Sequence, residues 1–212
     1  MTRNVNKASS KDLLKYGSNI HLHECDLTNE ASLTDAFKDA YGVFAFTNYF
    51  SHPIHKVEDI TEEAEGRLLA RVAKACGVTH YIWSTLPEIK ERSGGKWPKV
   101  YHFDYKHAVD NYVKELEFNI ASYVLPSCFL QGFMGESTYK VYNPICNWID
   151  EKDENGTVVF SLPLPSLDSA LPVCDVRNDF GLVVKAVFDE GTKANGKYYP
   201  IVSEFLEVSH LY

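Results

Sequence analysis

His102 and Lys106 stand four residues apart in a segment whose apolar residues recur at helical spacing, so one helix face carries an imidazole and an ammonium together. An imidazole exchanges protons near neutral pH. The pair could therefore move a proton, or it could be a structural histidine beside a solvated lysine. Ser84 and Thr85 end a β-rich run, where a hydroxyl could orient a carbonyl or cap the next turn. Arg3, Lys7, Lys11 and Lys15 recur every four residues; the first two suit a phosphate, and the last two suit a solvated helix face. His21, His23 and Cys25 alternate and so share one side of an extended segment. They lack the further ligand that a metal site needs, and no metal is expected. Phe129, Phe133 and Met134 follow a strand-like run and suit either a pocket wall or the core.

The elements that must position these groups alternate between strands and helices. Segments 19–25, 41–48, 79–85 and 120–125 are short and rich in β-branched or aromatic residues, as in a parallel sheet covered on both faces. Between them the spacing predicts a helix from a Thr28 cap to Ala40, a long one over 53–76 closed by Gly77, and one over 103–116. A short basic helix is expected over 7–15 and another over 176–188. Strands alternating with such helices imply βαβ units and a doubly wound sheet. Residues 150–156 form a polar turn, followed by strand-like 157–162 and a proline-rich stretch, and this last third suits a small substrate-side or lid region. A single unit over 1–212 is expected, with 1–126 as the sheet core and 127–212 as its elaboration.

The 212 residues are 45% apolar and 13% aromatic, with 13 Tyr, 12 Phe and 3 Trp. That much apolar surface excludes a disordered chain. No apolar run approaches the roughly 18–20 residues of a membrane helix. Five cysteines, scattered and without a CxxC, read as free thiols in a reducing compartment, and no secretory leader is visible. A net charge of −8 argues against direct nucleic-acid binding. A cytoplasmic or nuclear protein is expected.

A dinucleotide-binding sheet carries a glycine-rich turn after its first strand, where the next helix's N-terminus meets the pyrophosphate. None of the 12 glycines has that placement: Gly132 and Gly135 are three apart but late, and Gly94 and Gly95 lie in a polar loop. Arg3 precedes a short helix and then an extended segment, as a basic residue at the end of a second strand would. The expectation is a doubly wound sheet lacking its first strand, glycine-rich loop and first helix, leaving 19–25 detached, re-paired or completed by another chain.

An ordered set of motifs then resembles the NmrA-like family, atypical relatives of the short-chain dehydrogenases. It comprises Thr2-Arg3-Asn4, Glu24-Cys25-Asp26-Leu27, Gly42-Val43-Phe44 with Thr47-Asn48-Tyr49, Gly77 through Ser84, and His102-Phe103-Asp104-Tyr105-Lys106. Phe160-Ser161-Leu162-Pro163-Leu164-Pro165, Asp175 and Asp179-Phe180-Gly181 complete it. The resemblance covers essentially the whole chain, without the family's GxxGxxG. It implies a Rossmann fold that binds NADP(H), as a redox sensor or regulator of a protein such as a transcription factor, or as a reductase. It places Arg3, helped by Lys7, on the adenosine 2′-phosphate and Asp26 beside the adenine. Thr47 and Asn48 would lie near the ribose and nicotinamide, with Lys106 on the ribose hydroxyls. Short-chain dehydrogenases use a Tyr four residues before the Lys; here that position is His102, a form the resemblance associates with non-enzymatic members. With the loop missing, weak or absent NADP binding is expected. The alternatives are an NADPH-dependent oxidoreductase of specialised metabolism, using His102, Lys106 and Ser84, and a cofactor-free interaction fragment.

Overall fold

The computed structural model describes residues 1–49, 61–132, 149–152, 158–160, 166 and 169–207. Within them four strands form one parallel sheet in the order β1 (Gly42–Ala45), β2 (His80–Ser84), β3 (Ile120–Pro126) and β8 (Tyr198–Ile201). Successive side chains of a strand face opposite ways. Tyr81, Trp83 and Tyr123 therefore enter one apolar cluster, and Ile82 and Val124 the other. Helices α2 (Glu30–Phe37), α3 (Glu62–Ala75) and α4 (Tyr101–Glu115) cover the first face through Leu33, Phe37, Leu69, Val72, Val109 and Val113. Helix α5 (Gly181–Glu190) covers the second with Val184 and Val187. Both faces are packed, and the sheet is doubly wound as the alternation of elements implied.

Local sequence sets the ends of these elements. Thr61 caps α3, its hydroxyl accepting from the Ala64 amide. At the other end Gly77 adopts φ +76°, and the Gly77 and Val78 amides donate to Lys74 O and Ala73 O. That paired closure of a helix needs a left-handed residue, which glycine supplies cheaply. The cap of α2 is Asn29, which accepts from the Ser32 amide, and not Thr28, whose amide and hydroxyl both donate to Asp26 Oδ1. Residues 7–15 hold a short α1 (Ala8–Lys11) running into a 3₁₀ turn, Asp12–Tyr16.

Residues 19–25 are not the full strand that their alternation suggests. Glu24 makes an isolated parallel bridge to Thr2, with Thr2 N donating to His23 O and Cys25 N to Thr2 O. The rest of the stretch has no ladder among the described residues, so the segment is neither detached nor re-paired: it keeps one bridge to Thr2, beside the Arg3 expected at the end of the second strand.

The last third adds β4 (Cys128–Phe129), β7 (Ala170–Cys174) and β9 (Glu204–Glu207) as a small sheet. A hairpin of β5 (Ile149–Lys152) and β6 (Val158–Phe160) accompanies it. One of its strands, β8, belongs to the main sheet, beside β3. The expected 176–188 helix is a π turn at Val176–Phe180 leading into α5. No described helix is long and apolar enough to cross a membrane.

Candidate functional site

Three of the residues singled out by sequence lie within two turns of structure at the carboxyl edge of the sheet, the edge where doubly wound folds hold ligands. Thr47 follows β1, while His102 and Lys106 sit on successive turns at the start of α4. A fourth residue, not singled out, joins them. Glu62, in the first turn of α3, is buried, with its side chain 1% exposed. Its Oε1 lies 2.9 Å from Lys106 Nζ and accepts from the Thr47 hydroxyl at 2.8 Å. Lys106 Nζ also donates to Thr47 O at 2.9 Å and to Thr47 Oγ1 at 3.1 Å. The ammonium has three protons and three protein acceptors.

The same lysine is held at its other end. Trp83 Nε1 donates to Lys106 O at 3.1 Å, and the ammonium lies 5.4 Å from the Trp83 ring centroid. Trp83 is itself fully buried on β2. Sheet and helix thus fix both the backbone and the head group of Lys106.

His102 packs its ring against Tyr49 and Phe103. Burial lowers its pKa; Glu62 and Asp104 pull upward and Lys106 pushes down, so the imidazole is neutral at pH 7. Tyr105 stacks on Tyr101, and burial raises the Tyr105 phenol above its ordinary value. A phenol displaced in that direction is a weaker acid and gives up its proton less readily. Ser84 is buried at the end of β2; the neighbouring Thr85 hydroxyl donates to Leu86 O. Asn48 is exposed beside Thr47.

The remaining candidates occupy a second place. Arg3 and Asp26 are exposed, and the Asp26 carboxyl is held below its usual range by the Thr28 amide and hydroxyl and by the Arg3 charge. Lys7 is exposed ahead of α1. The metal-like trio is dispersed into other roles. His23 Nε2 lies 3.2 Å from Asp35, and Cys25 is buried near the Ser32 hydroxyl. Phe129 is partly exposed, while Phe133, Met134 and Gly135 lie outside the described residues.

A dinucleotide would meet suitable groups at its two ends, an exposed guanidinium at Arg3 and the part-exposed Lys106 with Thr47. Its middle finds none among the described residues: α2 and α3 begin at side-chain caps, Asn29 and Thr61, and not at a glycine-rich turn.

Sequence reasoning missed Glu62, because an acidic residue in a helix's first turn reads as a solvated group favoured by the dipole. It also missed Asp110, a buried carboxyl on α4 contacted by Tyr198 of β8. No spacing signal marks either one.

The chain is 25% identical over 208 residues to the NmrA-like family domain-containing oxidoreductase FrzB of Cladobotryum sp, covering 96% of this chain and 60% of that protein. It is 27% identical over 180 residues to the nitrogen metabolite repression protein nmr of Neurospora crassa, covering 84% of this chain and 33% of that one. The crystal structure of NmrA, a negative transcriptional regulator, in complex with NADP superposes with a TM-score of 0.75 at 24% identity, over 97% of this chain and 58% of that chain. This chain thus spans about 60% or less of each of these relatives. The NmrA-like family model matches residues 1–212, and the chain belongs to the NmrA-like family.

Proposed function

We propose that this protein is an NADP(H)-linked redox-sensing or regulatory member of its family, with weakened cofactor binding. The observation that carries the reading is the state of Lys106. Its three protons are spent on Thr47 and Glu62, and the group four residues before it is His102 and not a phenol. A reductase of the short-chain type needs a hydroxyl tuned to give up a proton beside a free ammonium. Here the nearby Tyr105 is tuned the other way.

In this reading Arg3, with Lys7, meets the adenosine 2′-phosphate, and Asp26 lies beside the adenine. Thr47, Asn48 and Lys106 face the nicotinamide half. The nicotinamide cofactor supplies a redox state; the chain's residues bind and orient it, and a difference in affinity between its two forms shifts the surrounding loops. Residues 1–212 act as one unit in the cytoplasm or nucleus, and the partner is a regulatory protein such as a transcription factor. The name of the Neurospora relative, a repression protein, supports it.

An NADPH-dependent oxidoreductase of specialised metabolism is the second reading. The Cladobotryum relative, an oxidoreductase by name, favours it, as does the buried Ser84 hydroxyl at the sheet's carboxyl edge. His102 and Lys106 would then handle the proton.

Titration of the chain with NADP⁺ and NADPH, followed by tryptophan emission, tests these readings, because Trp83 lies against Lys106. The regulatory reading expects weak saturable binding and no NADPH consumption with a panel of carbonyl compounds. Consumption with any of them supports the oxidoreductase. Absence of saturable binding to both forms leaves a cofactor-free interaction fragment.

A further inference from the structure

We propose that Glu62 is the positioning residue of the Lys106 site, fixing the ammonium and cancelling its charge so that the ligand group it meets is an uncharged hydroxyl or carbonyl and not an anion. The inference deepens the nucleotide reading and rests on it for the identity of the ligand, though not for the behaviour of the two side chains.

Exposure separates the two roles. The Lys106 side chain is 12% exposed and Glu62 only 1%. A ligand at the sheet edge can touch the Lys106 side chain and cannot reach the carboxylate. Glu62 must act through Lys106. Its other oxygen, Oε2, is buried without a hydrogen-bond partner among the described residues. The carboxylate therefore leans on Lys106, on the Thr47 hydroxyl and on its place at the N-terminal end of a 14-residue helix.

Charge gives the selectivity. An unaccompanied lysine at a sheet edge is a point charge that draws phosphate or carboxylate. With Glu62 at 2.9 Å the pair sums to zero, and an arriving anion meets a carboxylate behind the ammonium. A neutral hydroxyl meets no such opposition; it can share a proton with Thr47 or displace it. His102 senses both members, drawn up by Glu62 and pushed down by Lys106, as expected beside a compensated pair.

Trace acetylation with acetic anhydride, read by mass spectrometry at Lys106 against the exposed Lys11, tests this on the whole chain. The unaltered protein should label slowly at Lys106, and added inorganic phosphate or pyrophosphate should not change that rate. Glu62→Gln keeps the size and removes the charge. Its Lys106 should label roughly tenfold faster, the factor that about 1.4 kcal/mol of lost charge-assisted contact makes, and phosphate should now protect it. Glu62→Asp should restore much of the slow rate.

Protection of Lys106 by phosphate in the unaltered protein overturns the proposal without any variant. So does an unchanged rate in a folded Glu62→Gln protein. A chain that fails to bind NADP⁺ leaves these labelling results intact, so failure of the nucleotide reading is distinguishable from failure of the positioning role.

Discussion

Tyr198 Oη donates to Asp110 Oδ2 across 3.1 Å, joining the first residue of β8 to the middle of α4. Asp110 is fully buried, and His107 Nδ1 lies 3.5 Å from the same oxygen. Burial pushes the Asp110 carboxyl up to about 7, against the opposing pull of the Thr85 and Tyr198 hydroxyls and of Lys114 and Lys106. His107 is itself lowered by burial and then by Lys114, so it does not supply a full countercharge.

That raised carboxyl makes stability fall with pH. Between its ordinary value of 3.8 and about 7 the folded protein holds a proton that the unfolded chain has lost. The contribution is complete below 3.8 and is lost as pH rises through about 7, at up to about 1.4 kcal/mol per pH unit. Lowered histidines (His80, His102, His107) work in the opposite sense below 6.5. Asp110→Asn removes only the first effect. Urea midpoints from pH 5 to 8 should therefore show the wild type losing stability relative to Asp110→Asn as pH rises. A constant difference between the two would contradict the raised carboxyl.

Lys106→Met is expected to be far more damaging than loss of a surface lysine. It strands the buried Glu62 carboxylate, and breaking such a pair from one side costs about 3–5 kcal/mol. Adding Glu62→Gln to Lys106→Met removes the stranded charge and should recover most of the loss. Denaturant midpoints of the two single variants and the double variant check this. Additive losses would mean that the two groups do not share a buried pair.

Gly66→Ala should destabilise although alanine is the better helix former by about 1 kcal/mol. A Cβ at residue 66 would lie 2.7 Å from Val109 Cγ2 and 3.0 Å from Trp83 Cη2. Both neighbours are fully buried, and the valine is stiff at χ1. Overpacking of this kind costs about 1–3 kcal/mol, so the net change should be negative. Because Trp83 also anchors Lys106, its emission should shift in the variant. A higher melting temperature than wild type would refute the close approach of α3 and α4.

The elements legible in the sequence are those whose packing is continuous. Segments 80–84 and 120–126 are buried on both faces, so their aromatic and β-branched runs announce them. Segment 19–25 has the alternation of a strand, but among the described residues it makes a single bridge, Glu24 with Thr2, through His23 O and Cys25 N. Pairing depends on neighbours that the segment itself does not encode. Strand β8 was hidden by Pro200, which cannot donate to a ladder and is tolerated because β8 lies at the edge of the sheet's described strands. At the candidate site, Lys106 and Thr47 were named through resemblance. Glu62 was not, since its burial follows from how α3 packs against α4 and β1 and from nothing in its own neighbourhood.

The outer edge of β1 gives the last expectation. Tyr41 O accepts from His80 N, and Gly42 is registered with His80. In a parallel ladder this turns the amides of Val43 and Ala45 toward β2, and those of Gly42 and Phe44 away from it. No described strand lies on that side, and Tyr41 and Phe46 are exposed at the two ends of β1. An edge of unpaired amides exchanges its hydrogens readily and invites pairing with another strand. Amide exchange followed by NMR on dilute protein should find Phe44 much faster than Val43, its neighbour in the same strand. Raising the concentration should slow Phe44 only if a second copy adds to the edge. Equal, slow exchange of the two amides at high dilution would mean that the edge is already paired within the chain, and that the sheet is wider than its four described strands.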